Sequence, residues 1–293
     1  MTTMIPVPGH LRLTVLGCSN AAPYPDSASA GFLVEWEETA LLLDIGQGVA
    51  ERLAGVADAR DLAGIVIGHM HADHFVGLAH LRYLFPWPGN GPALLPVHLP
   101  PGGRGRVDDL ASAISERAGF FDASFAVKEY DPAAPLVVGP LTIRFARSRH
   151  YVPAWAMSVE APDGARLVYT GDTGPSDAMV EFARSADLLL VEATLRDLST
   201  DDEERGHLTT PEAIELASTA EVAAALLVHY PPDERAEMER LCAAAGTWIE
   251  PAAIGQRVVV VPGAGRAAAG LRATAAVNDH AVPNALSVRE PAT

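Results

Sequence analysis

The stretch AGIVIGHMHADH at residues 63–74 joins an apolar run to three imidazoles and one carboxylate. The apolar run, residues 63–68, is predicted to be a buried strand because it is short and continuous. Zinc and its borderline neighbours take imidazole nitrogen and carboxylate oxygen as ligands. The end of this strand is therefore predicted to be a metal site. Four potential ligands so close in sequence cannot readily all face one ion, which favours two adjacent metals.

The composition fits a globular protein and constrains its partners. The chain has 293 residues, of which 49% are hydrophobic, enough for a sizeable core. It carries 21 lysines and arginines against 37 acidic residues, a formal net charge of −16. A long polyanion such as RNA is normally bound by a basic stripe, and this chain has a single lysine, Lys128. RNA is therefore disfavoured as a partner, while a small anionic substrate could bind beside divalent ions.

Cysteine usage and the amino terminus indicate the cellular compartment. Cys18 and Cys242 are far apart and form no disulfide framework, as expected for a reducing compartment. Residues 1–10 lack the basic and apolar regions of a signal peptide. No apolar run approaches the roughly 18 residues that a transmembrane helix needs. We therefore expect a cytoplasmic protein without a membrane span.

Short apolar runs alternate with helical patterns, which predicts an α/β chain with many strands. A short strand is expected within the loop at 85–101. Further strands are predicted at 11–17, 31–36, 40–45, 123–130, 135–139, 141–146, 156–160, 167–170, 188–192, 224–228 and 257–261. Helices are predicted at 48–56, 75–84, 107–118, 177–185, 210–220 and 233–245.

The two halves of the chain are weakly similar. Each half has an apolar strand ending in an acid, at Asp44 and at Asp172. Each also has an apolar strand ending in a histidine, at His69 and at His229. Two similar halves that face each other would bring these four strand ends to one rim, where ligand sites are usually found.

The spacing of the candidate ligands resembles that of the metallo-β-lactamase superfamily. The HxHxDH motif at 69–74 is followed by an isolated His150, by Asp172 after Thr-Gly, and by His229 after a strand. The resemblance implies a four-layer αββα sandwich that spans residues 11–262 as a single domain. Residues 1–10 and 264–293 are expected to be flexible termini.

The same resemblance implies a hydrolase that binds two divalent ions, with zinc expected and manganese or iron as alternatives. It assigns three ligands to the first ion, three to the second and one carboxylate to bridge them. These are His69, His71 and His150; Asp73, His74 and His229; and Asp172. Relatives are often dimers, so a homodimer is a further expectation.

Metal chemistry suggests a mechanism for these residues. Two ions lower the pKa of a bound water, so hydroxide exists at neutral pH. Asp73 would orient this nucleophile as well as bind metal. His69 and His71 are two apart on an extended chain and point the same way. Asp44 resembles an acid of the superfamily that hydrogen-bonds a ligand and does not bind metal itself.

Two later segments resemble the ribonuclease Z-like branch of the superfamily. They are VEAT at 191–194 and RGHLT at 205–209. There, a Glu-Ala-Thr strand end and a later His-x-Thr act near the substrate phosphate. A leaving alkoxide needs a proton, so His207 is the candidate general acid or phosphate binder, and Glu192 would orient its ring. The pair favours phosphodiester chemistry over lactam or lactone hydrolysis.

The sequence also departs from the enzymes that process transfer RNA. Those enzymes usually carry a long arm that grips the RNA, often between the two ligands that correspond to His150 and Asp172. Only 22 positions separate these residues here, which leaves no room for an arm. A phosphodiesterase for a small or cyclic nucleotide is therefore favoured. The alternatives are a transfer RNA 3′ endonuclease and a lactonase or other hydrolase of the superfamily. A binding module without activity would be expected to have lost ligands, and all seven are present.

Overall fold

The structure, a computed structural model, describes residues 9–85, 94–198 and 205–265. Apart from residues 9, 10, 264 and 265, the segments expected to be flexible termini lie outside the described residues. Fourteen strands and seven α-helices lie within the described ranges. Single turns of 3₁₀-helix are present at Ala59–Asp61, Arg82–Leu84 and Pro232–Glu234.

The elements fall into two series along the described chain. The first series comprises β1 (Leu11–Gly17), β2 (Gly31–Trp36), β3 (Thr39–Leu43), α1 (Val49–Leu53), β4 (Gly64–Val66), α2 (Ala72–Phe75), α3 (Leu78–Leu81), β5 (Leu95–Leu99), α4 (Gly103–Ile114) and β6 (Phe125–Glu129). The second series comprises β7 (Leu136–Val138), β8 (Leu141–Arg147), β9 (Trp155–Glu160), β10 (Arg166–Tyr169), α5 (Asp177–Ala183), β11 (Leu188–Glu192), α6 (Thr210–Thr219), β12 (Ala224–Val228), α7 (Arg235–Ala245), β13 (Ile249–Pro251) and β14 (Arg257–Val260).

The described strands form two seven-stranded sheets with matching topology. The first has the order β14-β1-β2-β3-β4-β5-β6, and the second has the order β13-β12-β11-β10-β9-β8-β7. Each sheet consists of three antiparallel pairs next to three parallel pairs, with the antiparallel pairs at the β14 end of the first sheet and at the β7 end of the second. The change of direction occurs at β3 in one sheet and at β10 in the other. The similarity of the two halves that the sequence indicated is thus present in the topology.

Side-chain alternation along the strands separates two hydrophobic cores. On β3, Leu41 and Leu43 join the cluster that contains side chains from both sheets, where Phe32 packs edge-on against Tyr169. Leu42 points the other way, into a cluster with side chains of α1, α3 and α4. Helices α5, α6 and α7 cover the opposite face of the second sheet. Each fully buried leucine contributes roughly 1.5–3 kcal/mol to stability. These layers confirm the predicted αββα sandwich.

Two local predictions were wrong. The helix predicted at 75–84 starts earlier and is divided at Gly77, whose N–H donates to the Ile45 carbonyl at 2.9 Å. The backbone approaches so closely that a Cβ at Gly77 would lie 2.7 Å from the carbonyl oxygens of Ile45 and Gly46. Strand β13 was missed because it has only three residues, one of them a proline.

None of the helices in the described part of the chain has the length and apolar character needed to span a membrane.

Candidate metal centre

Five loops at one edge of the sandwich carry the candidate residues. The turn after β3 carries Asp44, and the segment after β4 carries residues 69–74. His150 lies between β8 and β9, Asp172 follows β10 and His229 follows β12. In α/β sheets, ligands bind beyond the carboxyl ends of the strands, and all five of these loops leave such ends. Asp44 and His229 have positive φ angles of 56° and 52°, a backbone strain that is common at functional sites.

All seven predicted ligands come together in the structure. Their nitrogen and oxygen atoms form groups in which every atom lies within 4.8 Å of the others. One group contains His69, His71, His150 and Asp172, and the other contains Asp73, His74 and His229. His207 also lies within this distance of Asp172 and His229.

Asp172 lies between the two groups. Its Oδ2 is 3.6 Å from His69 Nε2 and 3.6 Å from His229 Nε2, and its Oδ1 is 3.4 Å from His74 Nε2. Asp73 Oδ2 lies 2.9 Å from His229 Nε2 in the second group. The Asp172 carboxylate can therefore face cations on both sides, as expected of a bridging ligand.

Asp44 hydrogen-bonds the nitrogen of His74 that faces away from the cluster. Its Oδ2 accepts hydrogen bonds from His74 Nδ1 at 2.7 Å and from the Tyr169 hydroxyl at 3.0 Å. Its Oδ1 accepts the Gly68 N–H at 2.8 Å. This contact fixes the His74 ring so that Nε2 faces the cluster. Burial would lower the pKa of His74, but the carboxylates of Asp172 and Asp44 raise it well above the usual histidine value. Asp44 thus makes a hydrogen bond to a candidate ligand, as the sequence predicted, with Tyr169 as an additional partner.

Two further imidazoles are fixed in the same manner. His150 Nδ1 donates to the Gly206 carbonyl at 2.9 Å, and His229 Nδ1 contacts the Thr194 hydroxyl at 2.8 Å. Such partners of metal-binding histidines set the ring orientation and the tautomer. In both residues Nε2 is then directed into the cluster.

Glu192 connects a candidate ligand with the candidate general acid. It is fully buried, and its Oε1 accepts from His207 Nδ1 at 2.8 Å and from the Thr173 N–H at 2.8 Å. Its Oε2 accepts from the Thr194 N–H at 3.0 Å and the Thr194 hydroxyl at 2.7 Å. One carboxylate thus orients His207 directly and His229 through Thr194.

The start of helix α6 anchors the segment that carries His207. The Thr209 hydroxyl and the Glu212 carboxylate form a reciprocal capping box at the first turn. The other carboxylate oxygen of Glu212, Oε1, lies 2.7 Å from Nη1 of Arg205. Arg205 precedes His207 in the chain, and Thr209 follows it. The segment is therefore tied to the helix on both sides of the imidazole.

Burial controls the protonation of the first group. It lowers the pKa of His69 well below the usual histidine value, and nearby His74 adds to the effect. Burial also lowers the pKa of His71 and of His150. These imidazoles are neutral near pH 7, so each has a lone pair available for a cation.

At Asp73, Asp172 and His207, nearby charges shift the pKa more strongly than burial does. Burial would raise the pKa of Asp73, but the hydrogen bond from His229 and the nearby His74 reduce it to about 2. Burial acts on Asp172 likewise, yet His229 and its neighbouring imidazoles hold its pKa well below the usual range. Burial would lower the pKa of His207, but the Glu192 carboxylate raises it to about 9. The two aspartates are therefore ionised near pH 7, and His207 carries a proton.

Unpaired buried atoms show that the cluster suits a cation. Nε2 of His69, Nε2 of His74 and Oδ1 of Asp172 are buried and have no hydrogen-bond partner in the described chain. A buried polar atom left unpaired costs about 1–3 kcal/mol. All three atoms belong to the cluster, and imidazole nitrogen with carboxylate oxygen is a donor set suited to zinc and similar ions. The residues present therefore fit a metal centre.

Sequence reasoning missed three residues around the cluster. Tyr169 precedes the Thr-Gly-Asp segment on the core face of β10, and a buried phenol usually needs an acceptor, which is a usable signal. Gly206 and Tyr151 are neighbours of His207 and His150, but nothing in the sequence indicates that they touch each other. A Cβ at Gly206 would lie 2.7 Å from the Tyr151 ring.

Comparisons with known proteins agree with the fold. Residues 40–230 match the β-lactamase superfamily domain. The chain is 30% identical over 225 residues to the probable metallo-hydrolase YhfI of Bacillus subtilis, covering 75% of this chain and 87% of that protein. It is also 30% identical over 244 residues to ribonuclease Z of Mycobacterium bovis, covering 76% and 86%. The crystal structure of the metallo-β-lactamase fold protein YhfI from B. subtilis superposes with a TM-score of 0.74 at 24% identity, covering 86% of this chain and all of that one.

Proposed function

The chain belongs to the β-lactamase superfamily, and on that premise we propose that it is a metal-dependent phosphodiesterase acting on a small phosphodiester such as a cyclic nucleotide. The observation that carries the proposal is the hydrogen bond between His207 and the buried Glu192 at the rim of the cluster. A protonated imidazole held by a carboxylate is suited to a reaction whose leaving group is an alkoxide.

We propose that the two groups hold two divalent ions, with zinc as the expected metal. The first would be bound by the imidazoles of His69, His71 and His150, and the second by Asp73, His74 and His229, with Asp172 between them. Bound there, the ions would lower the pKa of a water molecule and neutralise charge on the phosphate oxygens.

The protein's own residues would handle orientation and protons. Asp73 would orient the attacking water, since its carboxylate lies at the cluster and is ionised. His207 would donate its proton to the leaving oxygen as the bond to phosphorus breaks. Glu192 would keep the His207 ring in place and stabilise its charge. The same carboxylate, acting through Thr194, would keep His229 aligned with the metal.

A side-by-side activity assay of the zinc-loaded protein tests this proposal. The substrates are bis-p-nitrophenyl phosphate, 3′,5′-cyclic AMP, a precursor transfer RNA and a lactone. We expect turnover of both small phosphodiesters and no cleavage of the RNA. Lactone turnover without phosphodiester turnover would overturn the proposal in favour of another hydrolase of the superfamily.

A transfer RNA 3′ endonuclease is the second candidate. The 30% identity with a ribonuclease Z supports it, as does the VEAT segment at 191–194. The net charge of −16 and the short spacing between His150 and Asp172 favour the small substrate instead. Cleavage of precursor transfer RNA without turnover of cyclic AMP would select the endonuclease.

We also propose that residues 11–262 form a single folded domain. The last described strand, β14, pairs with β1, so the two ends of this range are joined in one sheet. Leu11 and Val260 face each other in that pair and are both buried in the core between the sheets.

A further inference from the structure

An aromatic side chain stands at the rim of the metal centre and takes no part in the proposed chemistry. Tyr151 directly follows His150, and its ring centroid lies 5.1 Å from that of His150 and 5.6 Å from that of His207. It is 45% exposed, whereas most aromatic residues of the described chain are buried. The ring therefore lies beside the general acid and a candidate ligand, on the side open to solvent.

The position of the Tyr151 ring is set by Gly206. A Cβ at Gly206 would lie 2.7, 2.8 and 2.9 Å from three atoms of the ring, so only glycine lets the ring lie so close to the backbone. The Gly206 carbonyl accepts the hydrogen bond from His150. The same backbone unit thus fixes a ligand and supports the ring. A ring that is already seated loses little conformational entropy when a substrate packs on it.

The distances suit a nucleotide. In a nucleotide the base is separated from the phosphate by one sugar ring. Here the Tyr151 ring lies directly beside the imidazoles of His150 and His207, with ring centroids 5.1 and 5.6 Å apart, an offset that one sugar ring can span. A planar aromatic face stacks on any nucleobase. Stacking also needs no basic residue, in keeping with a chain whose net charge is −16.

We propose that Tyr151 is the surface on which the base of the substrate stacks while the phosphodiester lies at the metal centre. This inference rests on the proposed function and narrows it. The substrate class becomes phosphodiesters of nucleosides, and sugar phosphodiesters that lack a base are disfavoured.

The kinetic test compares two substrates that differ only in the base. They are 3′,5′-cyclic AMP and the 3′,5′-cyclic phosphate of 1-O-methylribose. Tyr151→Ala is expected to lower kcat/KM for cyclic AMP about tenfold or more, mainly through KM, and to change the base-free substrate less than about twofold. Tyr151→Phe and Tyr151→Trp keep an aromatic face and should retain most of the activity. Tyr83→Ala is the matched control, because Tyr83 is 69% exposed and packs against Phe120 outside the cluster.

Equal losses for the two substrates, or no loss for either, would overturn the role of Tyr151 and leave the proposed function intact. A loss in Tyr151→Phe as large as in Tyr151→Ala would also overturn it, since the hydroxyl and not the ring face would then matter.

A binding measurement separates this inference from the catalytic proposal. Calorimetric titration of the zinc-loaded protein compares AMP with ribose 5-phosphate. We expect AMP to bind about tenfold more tightly and Tyr151→Ala to remove most of that difference. Equal affinity of the parent protein for both ligands would contradict stacking. If no phosphodiester is hydrolysed, the proposed function fails, and the titration still decides whether Tyr151 binds a base.

Discussion

At the scale of single residues, the Thr194 hydroxyl joins Glu192 to His229. Thr194→Val removes this hydroxyl at nearly constant volume, so His229 loses the partner of its Nδ1. We expect zinc affinity at the Asp73–His74–His229 group to fall about 10–100-fold, since loss of such partners weakens metal binding by that amount. Thr194→Ser keeps a hydroxyl and should bind zinc like the parent. Calorimetric zinc titration with circular dichroism as a folding check measures this, and parental affinity in Thr194→Val would refute the connection.

The general-acid role proposed for His207 makes a prediction about leaving groups. His207→Ala should lower turnover of an alkyl phosphodiester, a poor leaving group, by about 10²–10⁴-fold. It should affect bis-p-nitrophenyl phosphate far less, because p-nitrophenolate departs without protonation. Metal content should be unchanged, in contrast with Asp172→Ala, which should lose metal. Equal losses for the two leaving groups would argue against a general acid at this position.

Residue types and their spacing were enough to predict which seven side chains come together, because the HxHxDH segment and the later histidines and acids follow strand ends. The residues that hydrogen-bond Asp44 and His150 from distant parts of the chain were not predictable. Tyr169 reaches Asp44 across 125 positions, and Gly206 meets His150 across 56. Such contacts depend on how the two sheets face each other, which no local pattern encodes.

At the scale of elements, Gly77 divides two short helices where the chain passes over the turn after β3. Gly77→Ala places a Cβ 2.7 Å from two backbone carbonyl oxygens, so the backbone must shift. We expect the free energy of unfolding to fall by about 1–3 kcal/mol. Gly105→Ala is the control. Gly105 lies inside α4 with nothing within 4 Å of a Cβ, so alanine should raise stability by up to about 1 kcal/mol. Urea denaturation measures both variants, and a neutral Gly77→Ala would contradict the close approach.

Most strands were predictable because short apolar runs and alternation define them. Leu11–Gly17, Gly31–Trp36, Leu188–Glu192 and Ala224–Val228 have the bounds that the sequence predicted. Helix bounds were less predictable. The helix predicted at 107–118 is found at Gly103–Ile114, since it starts in a glycine-rich segment that favours no helix by itself.

At the scale of the whole molecule, the two sheets contribute candidate ligands to one cluster, so metal binding there should stabilise their assembly. A ligand that binds only the folded state stabilises it by about 2.7 kcal/mol at a free concentration of one hundred times Kd. Treatment with EDTA should therefore lower Tm, and adding zinc or manganese should restore it. Asp172→Ala should show little response to either. A Tm that is insensitive to chelator and to added metal would favour a protein without a metal centre.

The central claim is that side chains from both halves of the chain hold two divalent ions around Asp172. Elemental analysis of the zinc-loaded and dialysed protein tests it most directly, with Asp109→Ala, an exposed aspartate on α4, as the control. The account predicts two zinc ions per chain in the parent and the control, and a clear loss of zinc in Asp172→Ala. Absence of stoichiometric metal in the parent, or full metal content in Asp172→Ala, would contradict it.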